Sequence, residues 1–197
     1  MNLPNKLTVS RFVLTVAFLA AMFSRFPYHE TLALVFFAAG GVTDFLDGHI
    51  ARRRGLITNF GKLMDPLADK ILVCSAFIAF VELRWIPAWM VVVIVSRELA
   101  ITGLRLLAAS KNVVLAAERY GKHKTISQIV AVLALLVVAS YQEWGPPGRL
   151  IFGGTIPGWG PWVNTFAELS KWVAVALTVY SGAVYLWRNR AMYLQDM

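Results

Sequence analysis

The sequence DFLDGHIAR at residues 44–52 is followed by the pattern G-x3-D-x3-D at residues 61–69, and these two segments decide the fold and chemistry of the chain. They place four carboxylates within 26 residues of a chain that has only 11 acidic residues in 197. At about 100° per residue of an α-helix, the two aspartates of each segment fall on one helical face. Two such faces can confront one another across a cavity. This pattern is typical of a metal site.

The composition points to a membrane. Hydrophobic residues make up 58% of the chain, and the mean hydropathy is +0.61, which is more than a water-soluble domain needs. A net charge of +8 is compatible with nucleic-acid binding, but no segment remains to form a soluble binding domain. We therefore expect no nucleic-acid partner and assign the basic residues to topology and to anionic lipid headgroups. The single cysteine, Cys74, excludes an intrachain disulfide.

Six apolar stretches predict an all-α integral membrane protein, a six-transmembrane-helix bundle formed by one domain over residues 1–197. The predicted spans cover residues 7–24, 31–50, 66–84, 88–109, 125–141 and 166–187. The Gly- and Pro-rich segment 142–161 is predicted to lie along the membrane surface. Pro66 suits the first turn of a helix, so an N-cap is an alternative interpretation of Asp65.

The basic residues predict the orientation of the six spans. With both termini in the cytoplasm, most of the 19 lysines and arginines fall in cytoplasmic segments. Four fall on the other side: Arg25, Arg84, Arg149 and Lys171. This bias puts the acidic residues in the cytoplasmic half of the bilayer.

Four carboxylates close together in a medium of low dielectric constant repel one another, so their charge has to be neutralised. Two divalent cations achieve this, and hard oxygen ligands select Mg²⁺ or Mn²⁺. Two such ions form the usual clamp for displacement at phosphorus. Gly48 leaves room for a ligand beside the acids, and Arg52, with Thr58 beyond it, could bind a phosphate.

The pattern D-x2-D-G-x2-A-R-x8-G-x3-D-x3-D resembles the signature of the CDP-alcohol phosphotransferases and fits it at every defined position. The resemblance implies six transmembrane helices, a homodimer, and direct attack of an alcohol on the lipid-side phosphorus with release of CMP. It implies that Asp69 is the general base and also one of the metal ligands. The full metal set is Asp44, Asp47, Asp65 and Asp69. The residues implied to hold the CDP group are Gly48, Arg52 and Thr58.

Other segments bear on the acceptor alcohol. The segments 2–11, 96–105 and 121–125 resemble those of the bacterial phosphatidylglycerophosphate synthases within this family. That similarity implies CDP-diacylglycerol and sn-glycerol 3-phosphate as substrates, and the bacterial inner membrane as the location. A phosphorylated acceptor also needs cations beside the metals, and Arg97 and Arg105 are only about 80° apart on one helix. The candidate acceptor-phosphate residues are Arg97, Arg105, Lys122 and Lys124.

Each of these cations has a second interpretation. Arg97 could pair with Glu98 or another acid, and the lysines could mark topology and bind headgroups. Sibling enzymes remain alternatives: a cardiolipin synthase that uses phosphatidylglycerol, or a synthase that uses inositol phosphate or serine. A divalent-cation transporter is the remote alternative. It is disfavoured because the acids gather at one end and spans one, five and six have no matching polar relay.

Overall fold

The computed structural model describes residues 3–54, 59–110 and 119–190, with the backbone alone at 3–8, 44–54, 59–69, 110 and 119–120. These residues are mostly helical. The helices are α1 (Leu3–Met22), α2 (His29–Arg54), α3 (Asn59–Glu82), α4 (Ala88–Ser110), α5 (Arg119–Ser140), the short α6 (Gly145–Phe152) and α7 (Trp162–Arg188). Two strands, β1 (Thr155–Ile156) and β2 (Gly160–Pro161), pair antiparallel between α6 and α7.

The helices that carry the acidic signature are longer than the apolar stretches predict. α2 continues to Arg54, and α3 begins at Asn59. Asp65 therefore lies inside α3 and not at its start, so the N-cap interpretation of Asp65 is wrong. Helical backbone can continue past the apolar stretch because intrahelical hydrogen bonds do not depend on side-chain polarity.

Aromatic and aliphatic side chains from six helices, α1 to α5 and α7, form the core. Phe18 of α1 lies against Phe37 of α2, with ring centroids 5.8 Å apart, and both are buried. Phe77 and Phe80 of α3 are fully buried beside them. α1 packs on α2 and α3, while α5 packs on α7 and α2, and α4 packs on α7 and α3. Every long helix is thus held by at least two others.

Many large apolar side chains point outward. Val16 of α1, Leu99 of α4 and Trp187 of α7 are all at least 66% exposed. A helix that is apolar on its outer face as well as its inner face is typical of a membrane span. By length and composition, two helices in the described parts of the chain can cross a membrane, Gly121–Ser140 and Trp162–Arg188. Val9–Met22 and His29–Thr43 are shorter apolar helices.

The predicted surface segment 142–161 contains regular secondary structure. It contains α6 and the β1–β2 hairpin, which places two-residue strands in a chain predicted to be all-α. The Glu143 carboxylate accepts hydrogen bonds from the backbone N–H (3.0 Å) and the hydroxyl (2.5 Å) of Thr31. Trp144 Nε1 donates to the same hydroxyl at 2.9 Å. These bonds fix the segment to the start of α2.

The same end of the bundle holds the α3–α4 turn. Lys171 of α7 donates from Nζ to the backbone carbonyl of Trp85 at 2.9 Å and to Glu168 at 2.6 Å. Glu30 of α2, Trp85 of the turn and Glu168 of α7 also line one cavity, so these three parts of the chain are neighbours. The carboxyl half of α2 and the amino half of α3, with the acidic signature, extend toward the other end.

Candidate functional site

The acidic residues lie on two helices that approach closely. A Cβ added to Gly40 of α2 would lie 2.5 Å from Leu72 Cδ2 of α3, so only glycine fits there without a shift of the leucine. Asp44 and Asp47 follow Gly40 along α2, and the two aspartates of α3 precede Leu72. On both helices, the acids thus lie on the same side of this contact, toward the end of α2 at Arg54 and the start of α3 at Asn59.

The structure describes only the backbone of most signature residues. Helix α2 carries Asp44, Asp47, Gly48 and Arg52, and helix α3 carries Asp65 and Asp69. Their side-chain positions are outside the described part of the structure, and Thr58 lies outside it altogether. Among the side chains that are described, no three Asp, Glu, His or Cys residues form a metal-binding group.

A cavity of about 350 Å³ opens beside the Gly40–Leu72 contact. Both residues line it, together with Gly41 and Val73 from the same two helices. It also receives polar side chains from four helices. The polar lining includes Arg11, Lys70, Glu98, Arg105, Lys124 and Gln128. The cavity is therefore continuous with the helical segments that carry the acids.

Glu98 is the acid of this cavity whose side chain the structure describes. It lies on α4 and is 5% exposed. Its Oε1 accepts a hydrogen bond from the Lys124 ammonium of α5 and lies 3.3 Å from Nη1 of Arg97. A buried charge is costly unless it is paired. The pairing therefore lets Lys124, itself only 3% exposed, remain inside an apolar bundle.

Arg105 and Arg97 are both held against α7. Arg105 donates from Nε to the Tyr185 hydroxyl at 3.3 Å, and its Cζ lies 5.5 Å from the centre of the same ring. The Arg97 side chain crosses α7 at Gly182, where an added Cβ would lie 3.0 Å from Arg97 Cγ. Arg105 lines the cavity, whereas Arg97 contacts Glu98 and α7 without lining it.

The predicted acceptor-phosphate residues are thus only partly gathered. Arg105 and Lys124 line one cavity, and Arg97 is joined to Lys124 through Glu98. Lys122 is exposed near the start of α5, outside the residues that line the cavity.

Two cations that line the cavity were not among the predicted site residues. Arg11 comes from α1 and Lys70 from α3, where Lys70 also donates a hydrogen bond to the Thr102 hydroxyl of α4. The sequence carries a signal for each, because Arg11 interrupts an apolar helix and Lys70 directly follows the last signature aspartate. The positive-inside rule accounts for both residues without giving them a ligand.

Comparison with known proteins agrees with the signature. The family model described as CDP-alcohol phosphatidyltransferase matches residues 1–180. A CDP-diacylglycerol–glycerol-3-phosphate 3-phosphatidyltransferase of Bacillus subtilis (strain 168) is 42% identical over 200 residues, covering 95% of each chain. A protein of the same name from Rickettsia bellii (strain RML369-C) is 31% identical over 184 residues, covering 93% of each chain.

A third relative covers a shorter region. A probable phosphatidylglycerophosphate synthase of Mycobacterium tuberculosis (strain ATCC 25618 / H37Rv) is 42% identical over 134 residues, or 66% of this chain and 64% of the relative. The family match and the first two relatives each span nearly the whole chain, including α2 and α3. This chain therefore belongs to the CDP-alcohol phosphatidyltransferase family.

Proposed function

We propose that this chain transfers the phosphatidyl group of CDP-diacylglycerol to sn-glycerol 3-phosphate, giving phosphatidylglycerophosphate and CMP. The observation that carries the proposal is the cationic cavity beside the two signature helices. A phosphorylated acceptor needs positive charge next to the diphosphate, and Arg105 and Lys124 supply it there. The names of the Bacillus and Rickettsia relatives support the same pair of substrates.

The carboxylates of the signature fit two divalent ions. The signature supplies hard oxygen donors, which suit Mg²⁺ or Mn²⁺. They come from four residues whose backbone lies on one side of the Gly40–Leu72 contact: Asp44, Asp47, Asp65 and Asp69. When bound there, the ions supply charge neutralisation and polarisation of the diphosphate.

The protein's own residues carry the remaining steps of the proposed mechanism. Gly48, Arg52 and Thr58 hold the CDP group. Asp69 accepts the proton of the acceptor hydroxyl as its oxygen forms a bond to the lipid-side phosphorus. The bond from that phosphorus to the bridging oxygen breaks, and CMP leaves with the electron pair. The acceptor phosphate is held by the cationic set Arg97, Arg105, Lys122 and Lys124.

The proposal includes the placement of the protein in a bacterial inner membrane. Helices α1 to α5 and α7 form the six spans, both termini are cytoplasmic, and the acids lie in the cytoplasmic half. The positive-inside distribution supports this orientation. The contacts of Thr31 with Glu143 and of Lys171 with Trp85 also agree with it, because they lie at the end of the bundle opposite the acids. A homodimer, implied by the family resemblance, belongs to the same proposal.

A sibling activity is the main competitor. A phosphatidylglycerol acceptor also carries a phosphate, but as a diester with one negative charge and two acyl chains. The cavity of about 350 Å³ with four cationic side chains suits a small dianion better. A cation transporter is disfavoured because the signature acids gather at one end of the bundle and do not form a path across it.

An acceptor panel tests the proposed reaction. Purified protein with CDP-diacylglycerol and Mg²⁺ is offered sn-glycerol 3-phosphate, inositol phosphate, serine or phosphatidylglycerol, and CMP release is measured. We expect release with sn-glycerol 3-phosphate. Release with phosphatidylglycerol alone would reverse the choice of acceptor, and no release with any acceptor would reject the proposed function.

A further inference from the structure

Gln128 of α5 is a buried polar residue that the proposed mechanism does not use. It is 3% exposed and lines the cavity beside the signature helices. Its Nε2 donates a hydrogen bond to the Thr178 hydroxyl of α7 at 3.0 Å. Among the residues that the structure describes, Thr178 is the one hydrogen-bond partner of this side chain. A side-chain amide carries an acceptor as well as donors, so the buried oxygen of Gln128 still needs a partner.

The hydroxyl of Thr178 fixes which way this amide points. It donates its single hydrogen to the backbone carbonyl of Ala174 at 2.6 Å, so toward Gln128 it can only accept. The amide therefore turns Nε2 to Thr178 and turns Oε1 away from it. Because its nitrogen is engaged by α7, Gln128 offers the cavity a hydrogen-bond acceptor.

One face of α7 holds two residues of this cavity. Thr178 and Tyr185 are separated by two helical turns, so they share a face of α7, and both are buried. Thr178 holds Gln128 and Tyr185 holds Arg105, and the two residues held in this way line the cavity. Lys124 lies one turn before Gln128 on α5 and lines it too. Gln128 is therefore close to the cations that hold the acceptor phosphate in the proposed function.

The chemistry of sn-glycerol 3-phosphate leaves one group for such an acceptor. A phosphate dianion only accepts hydrogen bonds, so a carbonyl oxygen does not bind it. The terminal hydroxyl is less hindered than the central one, so it is the attacking group and gives its proton to Asp69 in the proposed mechanism. The central hydroxyl keeps its proton throughout the reaction. It is the group that can donate to Oε1 of Gln128.

We propose that Oε1 of Gln128 accepts a hydrogen bond from the central hydroxyl of sn-glycerol 3-phosphate, and that Thr178 is the positioning residue that orients the amide for it. This inference rests on the proposed function, because it concerns the acceptor of that reaction. It makes Gln128 a specificity residue, since an acceptor without the central hydroxyl leaves the amide oxygen buried and unpaired. The competing role of Gln128 is a hydrogen bond that only holds α5 to α7.

An acceptor that lacks the central hydroxyl tests the inference. 3-Hydroxypropyl phosphate has the phosphate and the terminal hydroxyl of sn-glycerol 3-phosphate, but its central carbon carries no oxygen. With CDP-diacylglycerol and Mg²⁺, we expect the wild type to show a kcat/KM about tenfold to a hundredfold higher for sn-glycerol 3-phosphate. Gln128→Met keeps the length of the side chain without its amide, so most of this preference should disappear through poorer use of sn-glycerol 3-phosphate. Equal kcat/KM values for the two acceptors in the wild type would overturn the inference.

Variants of Thr178 test its positioning role. Thr178→Val keeps the shape of the side chain but removes the hydroxyl that orients the amide, so the preference should fall about threefold to tenfold. Thr178→Ser keeps the hydroxyl and should retain the preference. Ser170→Ala, the control, removes a hydroxyl that bonds to the Phe166 carbonyl of the same helix, and its preference should match the wild type.

A purely structural hydrogen bond predicts a different pattern. Gln128→Met and Thr178→Val would then lower the melting temperature and reduce kcat/KM for both acceptors by the same factor. That result would overturn the inference. So would a higher KM for CDP-diacylglycerol in Gln128→Met with an unchanged preference between the two acceptors, because Gln128 would then contact the other substrate.

The same assays distinguish failure of the inference from failure of the proposed function. CMP release with sn-glycerol 3-phosphate, combined with a preference that does not depend on Gln128, would reject the inference and keep the reaction. No CMP release with sn-glycerol 3-phosphate in the wild type would reject the proposed function and the inference together.

Discussion

The ammonium of Lys124 on α5 donates a hydrogen bond to the carboxylate of Glu98 on α4, and the two side chains are only 4% and 6% exposed. Arg97 approaches the same carboxylate oxygen at 3.3 Å. One buried acid therefore organises two of the predicted acceptor-phosphate cations. It also joins α4 to α5 beside the cavity.

Removing one partner of this ion pair should destabilise the protein more than removing both. Glu98→Gln leaves Lys124 buried without its counter-charge, which typically costs about 3–5 kcal/mol. The double variant Glu98→Gln/Lys124→Met should recover part of this loss, but it should not recover acceptor affinity, because the cation is gone. Thermal unfolding in detergent checks the expected stabilities, and the KM for sn-glycerol 3-phosphate checks the expected loss of acceptor affinity. Additive stability effects in the double variant would contradict the pairing.

Tyr185 should control the position of Arg105. Tyr185→Phe removes the hydroxyl that accepts from Arg105 Nε but keeps the ring beneath the guanidinium. A hydrogen bond to a charged group contributes about 1.5–3 kcal/mol when well formed, and this one is long at 3.3 Å. We therefore expect a rise of about threefold to tenfold in the KM for sn-glycerol 3-phosphate, with kcat little changed. The control is Tyr180→Phe on the exposed face of the same helix. An equal effect of both substitutions would argue against a specific role for Tyr185.

Neutralising one signature carboxylate should stop the reaction. Asp65→Asn keeps the size of the side chain but removes a charge from the proposed metal set, so CMP release should fall below detection while the protein remains folded. EDTA should have the same effect on the wild type, and added Mg²⁺ or Mn²⁺ should reverse it. Glu168→Gln, at the opposite end of the bundle, serves as the control. Turnover by Asp65→Asn comparable to wild type would reject the metal set.

Replacement of Gly148 in α6 by alanine should destabilise the protein. An added Cβ would lie 2.2 Å from the Tyr141 carbonyl oxygen and 2.9 Å from Trp144 Cβ, so the backbone of α6 would have to move. Overpacking of this kind costs about 1–3 kcal/mol. Gly103→Ala in α4 meets nothing within 4 Å and should be neutral, or stabilising by up to about 1 kcal/mol. Unfolding midpoints of the two variants check the difference, and equal midpoints would contradict the packing of α6 on Tyr141.

The sequence was sufficient for the family and for the order of the long helices. Fixed spacing in the signature and apolar stretches of membrane length are local properties, so they can be recognised without knowledge of contacts. The end of α2, the starts of α3 and α5 and the helix in segment 142–161 were less predictable. Polar residues there are equally compatible with helix and loop, and hydrogen bonds such as those from Thr31 to Glu143 decide between them.

The cationic residues illustrate the same division. By sequence alone, Arg97 and Arg105 share a helical face, and Arg11 is one basic residue near the amino terminus. Helical periodicity fixes the angle between two side chains of one helix, but it says nothing of which neighbouring helix each one meets. Only the packing of α1, α3, α4 and α5 brings Arg11 and Lys70 to the cavity with Arg105 and Lys124. The same packing directs Arg97 to Glu98 and Gly182. The sequence therefore determined the acidic signature and its helices, and the tertiary structure decided which cations surround the cavity beside them, because those neighbours come from distant parts of the chain.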